Sequence, residues 1–152
     1  MADIADIKKQ ILFSDLNDAE LALISKKMAV EEYPKGKSIF REGEPAACIY
    51  LVHKGKVEVS KTTTDGWKQR LAVLGENHFF GELSVVEHKK MHGADAVALD
   101  DCEVYEVTAD DLRSLEQTNP GIAYKIMRTI ARIASKNLHS MNEKLLKLLI
   151  SY

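Results

Sequence analysis

The sequence predicts a mainly β fold, an antiparallel β jelly-roll barrel with helices on both flanks. Three observations support this prediction. Residues 30–107 consist of short apolar or alternating runs separated by turn-forming residues. Residues 1–29 and 108–152 instead carry apolar residues at helical spacing. Strands this short and numerous are typical of sandwiches and barrels, and 152 residues suit a single domain.

Residues 1–29 are predicted to form two short helices. Apolar residues recur three to five positions apart in both: Ile4, Ile7 and Ile11 in the first, and Leu16, Leu21, Ile24 and Met28 in the second, between Ser14 and Met28. Ser14 or Asn17 is expected to cap the second helix, because each precedes acidic residues in a first turn.

Residues 30–107 are predicted to form the β-roll. Apolar and polar residues alternate most clearly at 56–60 and 103–107, as in half-buried strands. Asp65 and Gly66 lie between two strand-like runs, and this pair favours the tip of a hairpin.

Residues 108–152 are predicted to form two helices, with Thr108 as an N-cap and Pro120 near the start of a long final helix, 121–149. That helix carries two apolar stripes. One consists of Ile122, Ile126, Ile130 and Ile133; the other consists of Tyr124, Met127, Ala131, Ala134, Leu138, Met141, Leu145 and Leu148. The second stripe has the heptad spacing of a coiled coil, which predicts a homodimer formed through this helix.

Composition narrows the classes of function. Lys and Arg number 21 against 23 Asp and Glu, and this balance disfavours a nucleic-acid partner. Cys48 and Cys102 are too far apart for a CxxC metal site, and no apolar run is long enough to cross a bilayer. The sequence also stops at Tyr152 without a recognition helix. We therefore expect a cytoplasmic protein without direct contact to DNA or membrane.

The segment LGENHFFGELS, residues 74–84, is the candidate for ligand chemistry. Backbone N–H groups at such a turn and at a helix start converge on an anion, so phosphate is held without many cations. Gly81 permits close approach of the backbone, and the carboxylate of Glu82 can accept hydrogen bonds from sugar hydroxyls.

Several separated segments resemble the cyclic nucleotide-binding domain of the Crp–Fnr and protein kinase A regulatory families, in the same order. They are LFSDLNDAELALIS, KGKSIFREGEPAACIYLVHKGKVEVSK, LGENHFFGELSVVE and CEVYEVTADDLRSLEQTNP. The third resembles the phosphate-binding cassette of these families, which the resemblance places near residues 79–97. The resemblance covers nearly the whole sequence and implies a single regulatory domain, 1–152.

The resemblance also implies the ligand and its contacts. The ligand is a cyclic nucleotide such as cAMP or cGMP, with no other cofactor and no metal. The expected cassette contacts are Phe80, Gly81, Glu82, Leu83 and Ser84, with Glu82 reaching the ribose 2′-hydroxyl. Leu71 and Leu74 are expected to line the pocket wall, and Asn137 on the final helix matches the position that meets the purine.

One position departs from the family pattern. The family pairs the cyclic phosphate with an Arg, and that position holds His92 here, followed by Gly93. No Arg occurs between Arg70 and Arg113, so a small shift of register cannot supply one. His92 or Lys90 is the candidate replacement, although a neutral His and a flexible Lys both lack the bidentate fork of Arg.

Three hypotheses for the pocket therefore stay open: a cyclic nucleotide, a different small ligand in the same cavity, or no ligand in a dimerising scaffold that binds other proteins. With a ligand, capture at the cassette is expected to shift the final helix and so to signal to an effector protein.

A metalloenzyme of the cupin type is the remaining alternative, and the sequence disfavours it. The five His residues are His53, His78, His88, His92 and His139, and they include no HxH pair followed by Glu. We therefore expect a protein that is not an enzyme.

Overall fold

Two four-stranded antiparallel sheets form the β-roll of the computed structural model, which describes residues 2–151. The first sheet has the order β1 (Met28–Tyr33), β8 (Cys102–Thr108), β3 (Cys48–Lys54) and β6 (Phe79–Phe80). The second has the order β2 (Ser38–Phe40), β7 (Asp95–Ala98), β4 (Val57–Thr62) and β5 (Lys68–Leu74). All neighbouring strands run antiparallel, in the order of an eight-stranded jelly roll. The predicted fold class is confirmed.

Helices flank the roll at both ends and one interrupts it. They are α1 (Ile4–Ile7), a 3-10 turn (Ile11–Phe13), α2 (Asp18–Ser25), α3 (Glu82–Val86), α4 (Ala109–Thr118) and α5 (Pro120–Ile150). α1, the 3-10 turn and α2 precede β1, α3 lies between β6 and β7, and the last two helices follow β8.

The local signals for caps and turns are confirmed. The side chain of Asn17, not that of Ser14, caps α2, and it forms a reciprocal capping box with Glu20. The Thr108 hydroxyl accepts the backbone N–H of Asp111 at 3.0 Å at the start of α4. Gly66 has a φ of +85° at the tip of the β4–β5 hairpin.

The prediction that the second helix extends to Met28 is wrong. α2 ends at Ser25, and Met28 is the first residue of β1, opposite Val107 of β8. Its side chain is nevertheless buried in the same core as Leu21 and Ile24. Met28 is therefore buried in the expected core although it belongs to a strand. Helical spacing of an apolar residue does not by itself show whether that residue lies in a helix or in a following strand.

The strand β3, in the first sheet, is buried on both faces. Ile49 and Leu51 of β3 face the core beneath the helices, whereas Tyr50 and Val52 face the interior of the roll. β3 therefore reads as a continuous apolar run instead of an alternating one. The helices pack on the outer face of β3. β3 in turn pairs with β6, which leads into α3, so this packing positions α3 as well.

α5 separates the two predicted stripes. Ile122, Ile126 and Ile130 are buried against the domain, and Ile133 packs at the edge of that core. The helix has 31 residues, about 46 Å at 1.5 Å per residue, and it extends beyond the roll. Residues 134–150 are exposed throughout. Within residues 2–151, the second stripe is therefore largely exposed.

Ion pairs attach the first half of α5 to the N-terminal segment. Asp15 accepts Nη2 of Arg128 at 3.0 Å and Nη2 of Arg132 at 2.9 Å, and Lys125 Nζ lies 2.7 Å from Glu20 Oε1. The hydrogen bond from Arg128 is the main cause of a lowered pKa at Asp15. A movement of α5 must therefore either carry the N-terminal helices with it or break these contacts.

Replacing Asp15 by Asn is expected to lower stability in a pH-dependent way. The folded-state pKa of Asp15 lies below its usual value, so its contribution is present above the unfolded-state pKa and is lost as pH falls through the folded-state pKa. The melting temperatures of wild type and Asp15→Asn should differ at pH 7, and the difference should shrink as pH falls through the folded-state pKa of Asp15. Asp65→Asn at the exposed hairpin tip is the control, and an equal effect there would refute the assignment.

Candidate ligand-binding site

Gly81 turns the chain from the first sheet into the helix of the cassette. Phe80 pairs with Tyr50 of β3, and Gly81 then adopts a φ of +79°. A Cβ at this position would lie 2.9 Å from Cδ2 of Tyr50 and 3.2 Å from the carbonyl oxygen of Cys48. Both the backbone angle and the contact require glycine here, and together they hold the start of α3 against β3.

Glu82 is the first residue of α3, and its carboxyl group is substantially withdrawn from water. Burial is the main cause of a raised pKa, and the residue's own backbone N–H opposes that shift only in part. None of the ion pairs found among residues 2–151 involves Glu82, and no cation acts on its pKa. A desolvated carboxyl group without a cation is a competent acceptor for hydroxyl groups.

The rest of α3 divides between solvent and core. Leu83 is exposed and Ser84 is half-buried, with the Ser84 carbonyl accepting the N–H of Lys89 at 2.9 Å. Val85 and Val86 pack against the helical core. α3 therefore touches the helices with one face and leaves the other available.

A small cavity lies where the cassette helix meets the two C-terminal helices. Its volume is about 50 Å³. The residues that line it include Val85, Val86, Ala109, Leu112, Ile126 and Met127. The lining is mainly apolar, and His88, Arg113 and Glu116 supply its polar part.

His92 lies inside the roll rather than at its surface. Its ring stacks on Phe40 with centroids 3.6 Å apart and planes 8° apart, and its centroid lies 6.2 Å from that of Tyr50. The residue is 3% exposed, and desolvation lowers its pKa. In the described structure His92 is therefore a neutral aromatic residue at neutral pH, not a standing cation as the family Arg is.

Lys90 and Gly93 flank His92 and are exposed. The Lys90 carbonyl accepts the N–H of Ala46 at 3.0 Å, so the backbone of this segment is held by the loop between β2 and β3. An added Cβ at Gly93 would meet nothing within 4 Å. Their roles in binding stay predictions.

Leu71, Leu74 and Asn137 are placed differently from the cassette. Leu74 of β5 is half-buried and packs on the core of the roll, whereas Leu71 is 58% exposed. Asn137 is exposed on the part of α5 that the same chain leaves uncovered. The structure thus groups Phe80, Gly81 and His92 around one core and leaves Leu71 and Asn137 at the surface.

Sequence reasoning missed the aromatic residues that connect these parts. Tyr50 stacks on Phe80 with centroids 5.1 Å apart, and Phe40 lies 5.4 Å from Tyr50. The only signal in the sequence was that Phe40 and Tyr50 occupy strand-like runs, and their pairing depends on two different sheets. Tyr50 is therefore the common neighbour of the cassette glycine and of His92.

A polar group lies next to Tyr50 on the first sheet. The Tyr33 hydroxyl donates to Oε1 of Glu106 at 3.0 Å, and burial raises the pKa of Glu106. Burial also raises the pKa of the Cys48 thiol to about 11 and raises that of Cys102. Both thiols stay protonated at neutral pH, which is the state of structural cysteines.

Among residues 2–151, neither a cluster of metal ligands nor a membrane-spanning helix is present. In that range no three His, Cys, Asp or Glu side chains are grouped as metal ligands would be. No helix in the described range combines the length and the apolar character needed to span a membrane.

A protein-family model matches the β-roll of this chain. The model described as "Cyclic nucleotide-binding domain" matches residues 30–119, more than half of the chain. The matched range contains the whole β-roll from Val30 onward, α3 and α4.

One curated relative is the "Cyclic AMP receptor protein" of Thermus thermophilus. It is 32% identical over 126 residues, which are 83% of this chain and 58% of that protein. The chain spans about half the length of the curated relatives it matches.

Solved structures agree with the fold. The catabolite activator protein of Thermus thermophilus superposes with a TM-score of 0.79 at 29% identity, covering 91% of this chain and 63% of that one. The N-terminal domain of a transcriptional regulator from Streptomyces coelicolor gives a TM-score of 0.74 at 29% identity, covering 90% and 95%. On the matched β-roll, cassette and flanking helices, the chain belongs to the cyclic nucleotide-binding domain family.

Proposed function

We propose that this chain is a cytoplasmic ligand-sensing regulatory module that binds a cyclic nucleotide of the cAMP or cGMP class at the cassette. The observation that carries the proposal is Glu82, a desolvated carboxyl group without a cation, held at a turn that only Gly81 permits. A ribose supplies the hydroxyl donors that such a group lacks. The relatives support the ligand class, since one is described as a cyclic AMP receptor protein.

Signalling through α5 is the second part of the proposal. Val85 and Val86 of α3 line the same cavity as Ile126 and Met127 of α5. A ligand that draws the cassette toward the roll changes this apolar contact and thereby the position of α5. The coupling exists only to the extent that the ligand binds the two arrangements with different affinity.

A homodimer formed through α5 is the third part. The heptad stripe is exposed from Tyr124 to Leu148, and residues 134–150 touch little else in the chain. A second copy aligned along this stripe would bury it as a two-helix seam, with Ala131 and Ala134 permitting close approach. Movement of the helix would then reach an effector protein through the dimer.

Titration calorimetry with cAMP and cGMP tests the ligand assignment. We expect saturable binding, and Glu82→Ala is expected to raise Kd about tenfold to a hundredfold, because hydrogen bonds to charged groups contribute about 1.5–3 kcal/mol. Glu87→Ala is the matched control, since Glu87 is exposed at the other end of α3 and pairs with Lys89. No heat with either nucleotide at millimolar concentration would refute the assignment.

One observation favours a second candidate. His92, at the position of the family Arg, is stacked on Phe40 and brings no standing charge to the interior. A pocket of this kind suits an uncharged ligand. Alternatively, the pocket holds no ligand and the domain acts as a dimerising scaffold that binds other proteins. The same calorimetry separates the candidates, because a scaffold gives no heat with nucleotides while its dimer persists.

A further inference from the structure

The Nε2 atom of His92 is buried without a hydrogen-bond partner among the described residues. The backbone of the residue is well held: its N–H donates to the Glu44 carbonyl at 2.9 Å and its carbonyl accepts the Gly43 N–H at 3.0 Å. The ring is therefore fixed in place while its polar atom is unsatisfied. A buried polar atom in this state is destabilising, and a ligand atom that forms a hydrogen bond with it removes that cost.

His92 belongs to the same cluster as the cassette turn. Its ring and Gly81 both lie beside Tyr50, which also stacks on Phe80. The cassette and the imidazole therefore share one aromatic residue, although 10 residues separate Glu82 from His92 along the chain.

Opposing effects act on the charge of the His92 ring in the free protein. Desolvation lowers the pKa of the ring, and the carboxylate of Glu44 opposes that shift. Tyr50 on β3 also lies beside the ring, with centroids 6.2 Å apart. The face of Phe40, 3.6 Å away, stabilises an imidazolium through a cation–π contact.

We propose that His92 is the phosphate-contacting residue of this pocket and that binding of a cyclic nucleotide is coupled to uptake of one proton by its imidazole ring. The proton comes from the buffer, and the imidazolium then donates Nε2–H to a phosphate oxygen. This inference rests on the proposed function, because it requires that a cyclic nucleotide binds at the cassette.

The coupling fixes the direction of the pH dependence. The free protein holds His92 neutral at pH 7, and a bound phosphate raises the pKa of the ring. Kd therefore falls as pH falls, by about tenfold per pH unit between the bound-state and free-state pKa values. Glu82 also titrates in the acid range, so a variant of His92 itself is needed to separate the two contributions.

Calorimetry in two buffers of different ionisation enthalpy measures the proton count directly. At pH 7 we expect uptake of about one proton per cAMP or cGMP bound. His92→Gln, which keeps a polar group but does not titrate, should lose the uptake and the pH dependence between pH 5.5 and 7.5. His92→Arg should bind more tightly with little pH dependence, and His88→Gln, at an exposed position, should behave as wild type.

Wild-type protein gives an independent readout. Proton NMR of the His92 ring should show a pKa below the usual value of histidine in the free protein and a higher pKa in the nucleotide complex. Binding without proton uptake, or pH dependence retained in His92→Gln, overturns this inference and leaves the proposed function standing. No heat at any pH from wild type and His92→Arg overturns both.

Discussion

Replacing Leu138 and Met141 together by Glu is expected to convert the proposed dimer into monomers. Both side chains lie on the exposed heptad stripe, 58% and 65% exposed, so their replacement leaves the domain core untouched. In a two-helix seam the four carboxylates of a dimer would be buried without partners, at a cost on the order of 3 kcal/mol each. The dimer Kd should rise by more than about a thousandfold.

Sedimentation equilibrium gives the mass, and circular dichroism gives a second readout. Residues 134–150 are exposed in the described structure, and most helical stability in proteins comes from tertiary packing. The double variant should therefore dissociate from its partner chain, and it should also lose the helical signal that comes from the end of α5. His139→Glu with Ser140→Glu is the matched control, because it adds the same charge outside the heptad stripe.

A dimer that persists in the double variant would show that the chains associate through another surface. A wild-type protein that is monomeric at the concentrations used for sedimentation would contradict the homodimer itself. In either case the exposed stripe on α5 would need a different partner, and the proposed route of signalling through a helix pair would fail.

The sequence predicts the elements of this fold well where the signal is local. The Asn17 cap, the Thr108 cap and the Gly66 hairpin each depend on a few adjacent residues, and the structure shows all three. The two stripes of α5 also separate as expected, because helical spacing determines which residues share a face.

The prediction failed where local pattern and tertiary contact diverge. Met28 fits helical spacing but begins β1, because its burial follows from pairing with Val107 across the sheet. The stacking of His92 on Phe40 joins residues 52 positions apart on different segments. Alignment with the family identified the position of His92 but not its surroundings, which depend on Phe40 and Tyr50 together.

Gly81→Ala is expected to damage the cassette more than any equivalent glycine replacement in an open turn. The left-handed backbone costs an L-residue about 1–2 kcal/mol, and the added Cβ, 2.9 Å from the Tyr50 ring, forces a shift that costs about 1–3 kcal/mol more. Gly66→Ala is the matched control, because its φ is +85° but a Cβ there meets nothing within 4 Å. Urea unfolding should therefore show an excess loss of about 1–3 kcal/mol in Gly81→Ala.

The contact with Tyr50 can be separated from the backbone strain by a double-mutant cycle. In a Tyr50→Leu background the ring is absent, so Gly81→Ala should lose only the strain that it shares with Gly66→Ala. If Gly81→Ala loses as much unfolding free energy in that background as in wild type, the steric contact lies at the Cys48 carbonyl oxygen, 3.2 Å from the same Cβ, and not at the ring.

Tyr50 also neighbours His92, so nucleotide affinity should depend on the same ring contact. Gly81→Ala should weaken binding of cAMP or cGMP at least about tenfold, while Gly66→Ala leaves it unchanged. Equal binding in the two variants would show that the ligand does not use the cassette turn.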